Sequence, residues 1–166
     1  MKTNLSPATL GLLLSVLLAA CTPQSEQLAP PEIAYGQDLC EACGMLIDQP
    51  GLAAATLDTA GQPHKFDEIG DMIQYHADNP TVQVQAWFVH DYNTEAWMRA
   101  ETAYFIYCPG FFTAMGHGLA AFETEADALA FAEQWQAEVL SFDEARRDAC
   151  DGVCHSLTLG DTLKER

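Results

Sequence analysis

Beyond residue 50, apolar and polar positions alternate in short runs that give way twice to a helical period. Leu52 to Leu57 is small and apolar, Thr59-Ala60-Gly61-Gln62 is a turn sequence, and His64 to Phe66 returns, which together predict a β-hairpin. Asp67 is placed to cap a helix in which Ile69, Met72, Ile73 and His76 recur at helical spacing, and Asn79-Pro80 ends it. Val82, Val84, Ala86 and Phe88 then alternate with Gln83, Gln85 and Trp87, the mark of a half-buried strand running to about His90.

The same order recurs downstream. Ala103 to Tyr107 and Gly118 to Phe122 predict two strands, and Thr124 with Asp127 caps a second helix. Ala128, Phe131, Trp135 and Val139 form its expected buried stripe, and Val139 to Phe142 turns back as a short strand. Each half therefore reads ββαβ, and the fold class expected is α+β. Phe66-Asp67 and Phe122-Glu123 both close a strand ahead of a helix, and Asp71 and Asp127 both fall five residues after the phenylalanine. The repeated element order is the stronger half of this parallel. Met115, beside Gly116, falls on a turn just ahead of the last strand before the second helix.

Residues 1–20 carry a different pattern. Lys2 gives a weakly positive start, and Leu10 to Ala20 is an apolar run too short to span a bilayer. It ends Leu18-Ala19-Ala20-Cys21, which resembles the lipobox of bacterial lipoproteins, where Cys21 would carry lipid; an ordinary signal peptide cut near Ala20 is the alternative. Two acyl chains suffice for stable anchoring. Thr22 in place of Asp points, by the enterobacterial sorting rule, to the outer membrane of a Gram-negative cell. The expected organisation is a signal peptide at 1–20, a lipidated cysteine and Pro-rich tether at 21–35, one domain at 36–145, and a Cys-containing tail at 146–166.

Charge narrows the partners. Seven basic against 24 acidic residues give −17, and without residues 1–20, which hold Lys2 and no acid, six against 24 give −18. That field argues against nucleic acid and against polybasic attachment to anionic lipid. Of the six cysteines, a lipidated Cys21 leaves Cys40, Cys43, Cys108, Cys150 and Cys154. An odd number cannot all pair within one chain, so at least one thiol is free or bound to metal.

The stretch Cys40-Glu41-Ala42-Cys43-Gly44-Met45 packs two thiols and a thioether into six residues. Sulfur donors of this kind prefer Cu(I) to harder ions, yet Cys-x-x-Cys also suits zinc, a redox dithiol or a disulfide.

Several blocks together resemble the NosL family, lipoprotein accessory factors of nitrous oxide reductase. They are Cys40-x-x-Cys43-Gly44-Met45-x-Ile47, His64-Lys65-Phe66-Asp67-Glu68-Ile69-Gly70-Asp71-Met72, Val89-His90-Asp91-Tyr92, and Ala103-Tyr104-Phe105-Ile106 followed by Thr113 to Phe122. The resemblance covers roughly 36–145. It implies a periplasmic, lipid-anchored Cu(I) chaperone built from two ββαβ repeats in a treble-clef-like arrangement. It further implies work with the ABC-type NosDFY assembly and the reductase NosZ, by metal delivery and without catalysis. Thr113-Ala114-Met115 replaces the family's usual Thr-Pro-Met, His117 lies two residues past the methionine, and the tail from Cys150 is outside the match.

On that reading the Cu(I) ligands are Cys43, Met45 and Met115, with Gly44 letting the backbone turn. Cys40 is either a further ligand or a disulfide partner for Cys43, and His117 is an auxiliary donor or a surface residue. Core packing is the alternative for Met45. Met72 belongs to the core, His64 is structural, and Met98 or Trp97 is assigned to the core. Cys150, Cys154 and His155 read as a local disulfide, a second metal site or idle thiols. Two other functions stay open: a thiol–disulfide lipoprotein using Cys40 and Cys43, and a zinc protein using those two with Cys150 and Cys154. An organomercurial-lyase-like activity lacks acid–base partners.

Overall fold

The computed structural model describes residues 28–150, with side chains as far as 147. The predicted hairpin forms from β1 (Ala54–Asp58) and β2 (Pro63–Phe66), paired antiparallel with Ala54 opposite Phe66. Asp58 closes its turn by accepting from the amides of Ala60 and Gln62. The chain then runs through α1 (Ile69–Asp78) and returns as β3 (Val84–His90), antiparallel on the other edge of β1. A short β4 (Trp97–Arg99) completes a four-stranded sheet in the order β2-β1-β3-β4.

A 3-10 turn at Ala100–Thr102 leads into β5 (Tyr104–Tyr107), β6 (Leu119–Phe122), α2 (Glu125–Trp135) and β7 (Val139–Leu140). These strands make a second antiparallel sheet, β6-β5-β7. In both sheets the first strand of the hairpin is flanked by its hairpin partner and by the strand that follows the helix. The last element among the described residues is α3 (Phe142–Cys150).

Phe66, Phe88, Phe105 and Phe122 are fully buried, each worth about 1.5–3 kcal/mol of transfer free energy. Phe66, Ile69, Met72, Val89, Phe105 and Phe142 share one core with Cys40 and Ile47 of the motif loop. Ile106, Cys108, Phe111, Phe122, Ala128 and Ala132 form the other, beneath α2.

Five local expectations change. The N-cap of α1 is Glu68, without a side-chain cap bond, because Asp67 and Glu68 both turn to other partners. Trp87, expected on the polar face of β3, is buried against His76 and Phe142 with the Arg146 guanidinium 4.8 Å over its ring. α1 and α3 together cover Trp87, and the end of β3 is buried on both faces. The stripe of α2 is Ala128, Phe131 and Ala132, while Trp135 is 41% exposed at the helix end, stacked on Phe131, and Val139 lies in β7. The strand expected to reach Phe142 stops at Leu140, and Phe142 opens α3, which crosses the expected domain limit at 145. Ile33, read as tether, is buried in the first core. Thr124, by contrast, caps α2 as predicted, accepting from the Asp127 amide at 3.1 Å.

Candidate metal centre

The motif loop is tightly folded. Leu39 and Leu46 form an antiparallel bridge, the Cys40 amide donates to the Met45 carbonyl at 2.8 Å, and the Gly44 amide donates to the Cys40 carbonyl at 2.9 Å. Gly44 sits at φ +75, a conformation that a side chain would strain. The loop is fastened to β2 at three points: the Glu41 amide on the Lys65 carbonyl (3.0 Å), Lys65 Nζ on Asp38 (2.7 Å) and His64 Nδ1 on Glu41 (2.7 Å). His64 is structural, as its sequence context suggests.

This loop lays its thiols over the start of α1. Cys40 Sγ lies 3.3 Å from Asp71 Oδ2, and Cys43 Sγ lies 3.4 Å from Asp67 Oδ2. Both sulfurs and both carboxylates fall within 4.8 Å of one another, so each thiol can reach either acid. Cys40 is 2% exposed, Asp67 and Asp71 are 4% exposed, and Cys43 is half-buried. Asp67 Oδ1 is buried with no hydrogen-bond partner among the described residues. An unsatisfied buried carboxylate oxygen of this kind costs about 1–3 kcal/mol or more.

Asp71 also faces away from the thiols. Its Oδ1 lies 3.6 Å from His117 Nδ1, and His117 forms a short ion pair with Glu68, itself 1% exposed. Glu68 also accepts from the Met115 amide at 3.1 Å. A continuous set of contacts therefore runs from Cys40 through Asp71, His117 and Glu68 to Met115, joining the motif loop to the β5–β6 loop. Met45 and Met115 are 42% and 49% exposed, so neither is a core methionine.

Burial pushes the Cys40 thiol up to about 11 and raises Cys43 further, so both rest protonated. Burial also raises Asp71, against the thiol hydrogen bonds and helped by the negative charge of Asp67 and Glu68. The Glu68 hydrogen bond lifts His117 above the usual imidazole range despite burial. Burial works against the Glu68 carboxylate too, but hydrogen bonds from His117, Thr113 and the Met115 amide hold it below the usual range.

Those two directions set a pH window. The raised His117 contributes stability that is complete below its unfolded value near 6.5 and is lost as pH rises through its folded value. The lowered Glu68 contributes above its unfolded value of 4.5 and is lost as pH falls through its folded value. The pair is thus expected to hold the β5–β6 loop best between these limits. Amide exchange at Met115 should rise, beyond its intrinsic pH trend, on both sides of the window.

Gly70 lies under the His117 ring, and a Cβ there would overlap the imidazole. Gly70→Ala is expected to cost about 1–3 kcal/mol by overpacking and to expel His117 from Glu68. A urea melt and the His117 imidazole NMR shift check this.

Of the residues singled out from sequence, Cys40 and Cys43 come together, His117 lies on the far side of Asp71 from them, and Met115 is tied to Glu68 through its backbone. Met45 adjoins through its carbonyl. Met72 is core, and Trp97 and Met98 are partly buried against it. Cys108 is a buried free thiol in the second core. Cys21, Cys154 and His155, and the side chain of Cys150, lie outside the described residues. Sequence reasoning missed Asp67, Glu68 and Asp71 as members of the centre. The i, i+4 spacing of Asp67 and Asp71, beside a helix with so much apolar surface, was the available signal.

The NosL family model matches residues 32–150, from the buried Ile33 segment through α3. The chain belongs to the NosL family. It is 31% identical over 151 residues to the copper-binding lipoprotein NosL of Stutzerimonas stutzeri, covering 81% of this chain and 78% of that protein. The crystal structure of the copper chaperone NosL from Shewanella denitrificans superposes with a TM-score of 0.58 at 28% identity, over 69% of this chain and 96% of that one. The shared NosL architecture is the mixed one described above, short helices with antiparallel sheets.

Proposed function

We propose that this NosL protein is a Cu(I) chaperone, lipid-anchored through Cys21 at the periplasmic face of a Gram-negative membrane, with the outer membrane favoured. Its copper serves nitrous oxide reductase maturation, passing by way of the NosDFY assembly to NosZ, and the chain delivers the ion without catalysing a reaction. Its two ββαβ units act as repeats in a treble-clef-like arrangement, with Cys43 and Met45 supplied by the loop before one and Met115 by the hairpin of the other.

The observation that carries this reading is the pairing of free thiols at Cys40 and Cys43 with exposed thioethers on the adjoining loops. Soft sulfur suits Cu(I), and exposed methionines leave a side open for a partner's sulfur to take the ion over. The names of the two relatives, copper-binding and copper chaperone, agree. A thiol–disulfide role needs a ready thiolate, and burial here works against one.

Anaerobic Cu(I) titration of the reduced chain against a competing chelator tests the proposal. Met45→Ala and Met115→Ala are each expected to weaken binding by about tenfold, or about 1.4 kcal/mol. Unchanged affinity in both would leave the methionines without a role in copper binding.

A further inference from the structure

The sulfurs of the motif loop and the β5–β6 loop differ in what shelters them. Cys40 is buried and Cys43 half-buried, whereas Met45 and Met115 are 42% and 49% exposed. The other two methionines among the described residues are Met72, fully buried, and Met98, packed against the first core. A thioether has no proton to lose before it reacts, so its exposure governs how readily an oxidant takes it. We propose that Met45 and Met115 form a reversible oxidation site, where a peroxide converts both thioethers to sulfoxides and so turns copper binding off without unfolding the chain. The loss of copper rests on the copper reading above; the oxidation site does not.

The step balances with hydrogen peroxide as the oxidant. The O–O bond breaks, one oxygen bonds to the methionine sulfur, and the other leaves as water. Sulfur gives up two electrons and peroxide takes them. Hydrogen peroxide is uncharged, so the acidic surroundings of Asp67, Glu68 and Asp71 do not repel it as they would an anionic oxidant. The product is a polar, chiral side chain that offers a hard oxygen and a far poorer sulfur donor.

Retention of the fold follows from how the two methionines are held. The Met45 carbonyl accepts from the Cys40 amide at 2.8 Å, and the neighbouring Leu46 is bridged to Leu39. The Met115 amide donates to Glu68 at 3.1 Å, and the Gly116 amide closes the turn on the Thr113 carbonyl at 3.1 Å. Main-chain bonds fix both positions, and neither thioether fills the core. An added oxygen therefore meets solvent, whereas the same oxygen on Met72 would sit among Phe66, Ile69 and Val89 of the first core.

The test uses the unaltered full chain in detergent, reduced and free of metal, exposed to hydrogen peroxide and sampled for peptide mass spectrometry. Met45 and Met115 are expected to gain oxygen at least about tenfold faster than Met72, at a rate that does not change with pH. After peroxide is removed, Cu(I) affinity should be at least about tenfold lower, as for loss of either thioether, with the urea midpoint unchanged. Dithiothreitol alone should not restore affinity. Dithiothreitol with the two methionine sulfoxide reductases, one for each sulfoxide epimer, should restore it as the oxygen leaves as water. Ag+, a soft ion that peroxide does not carry through the Cu(I) redox cycle, should slow oxidation of both methionines when bound beforehand.

The proposal is overturned if Met72 gains oxygen as fast as the exposed pair, or if oxidation of that pair unfolds the chain. It is equally overturned if dithiothreitol alone restores copper binding, because the loss then belongs to the thiols. Unmoved Cu(I) affinity, or no protection by Ag+, in a chain whose Met45 and Met115 oxidise first would support the oxidation site and defeat the copper role of the methionines alone.

Discussion

Cys43→Ser is expected to lower Cu(I) affinity by at least about a hundredfold, or about 2.8 kcal/mol at 1.4 kcal/mol per factor of ten. Serine keeps the size of the side chain but offers a hard hydroxyl that stays protonated, in place of a soft thiolate. The loop itself should survive, because its fold rests on main-chain bonds: Cys40 amide to Met45 carbonyl, Gly44 amide to Cys40 carbonyl, and Glu41 amide to Lys65 carbonyl. A melt coinciding with wild type would therefore assign the whole loss to the missing sulfur. Cys40→Ser, measured alongside, ranks the two thiols. A loss as large as that of Cys43→Ser makes Cys40 an equal ligand, and a small one leaves Cys40 outside the copper site. Retention of full Cu(I) affinity by Cys43→Ser would remove the centre from this loop.

Glu68→Ala is expected to cost about 2–3 kcal/mol of stability. Removing one partner of a buried ion pair commonly costs about 3–5 kcal/mol, and the figure is reduced here because His117 is 30% exposed on its side chain. The truncation leaves the His117 ring without its partner and the Met115 amide without its acceptor, so the turn at Thr113–Gly118 loses its tie to α1. Cu(I) affinity should fall with it although Glu68 carries no soft donor. Glu68→Gln, which keeps an acceptor for the Met115 amide but removes the charge, should lie between wild type and Ala. Urea midpoints of the three proteins decide the order. Identical midpoints would show that Glu68 does not hold the two loops together.

Much of the fold was legible because local signals and packing agree. The Thr59–Gln62 turn, the Asn79-Pro80 stop and the Thr124–Asp127 cap each sit where the chain in fact turns or starts a helix. α3 was missed because it is short and mostly charged, with Phe142, Ala145 and Ala149 as only a thin apolar stripe. Its signature was nonetheless present: Ser141 and Glu144 form a capping box, the Glu144 carboxylate accepting from both the amide and the hydroxyl of Ser141. Missing α3 also misplaced Trp87, since only a covering helix turns an alternating strand into one buried on both sides.

The cluster at the start of α1 was legible in its thiols and not in its oxygen: Cys40 and Cys43 announce themselves by rarity and spacing. Asp67 and Glu68 open a helix, where acidic residues serve the backbone dipole so often that no further role is implied. Only the fold of the motif loop onto β2, through Lys65 and His64, shows that the helix start faces the thiols.

Burial of the two thiols carries a consequence for their lifetime in air. A thiol whose pKa stands near 11, as for Cys40, is only about one part in ten thousand thiolate at pH 7. Peroxide and disulfide oxidants attack the thiolate, and the Asp67 and Asp71 carboxylates add a negative screen that disfavours its formation. Oxidation of Cys40 and Cys43 by peroxide is therefore expected to be slower than that of a solvent-exposed thiol, because burial disfavours the thiolate that the oxidant needs.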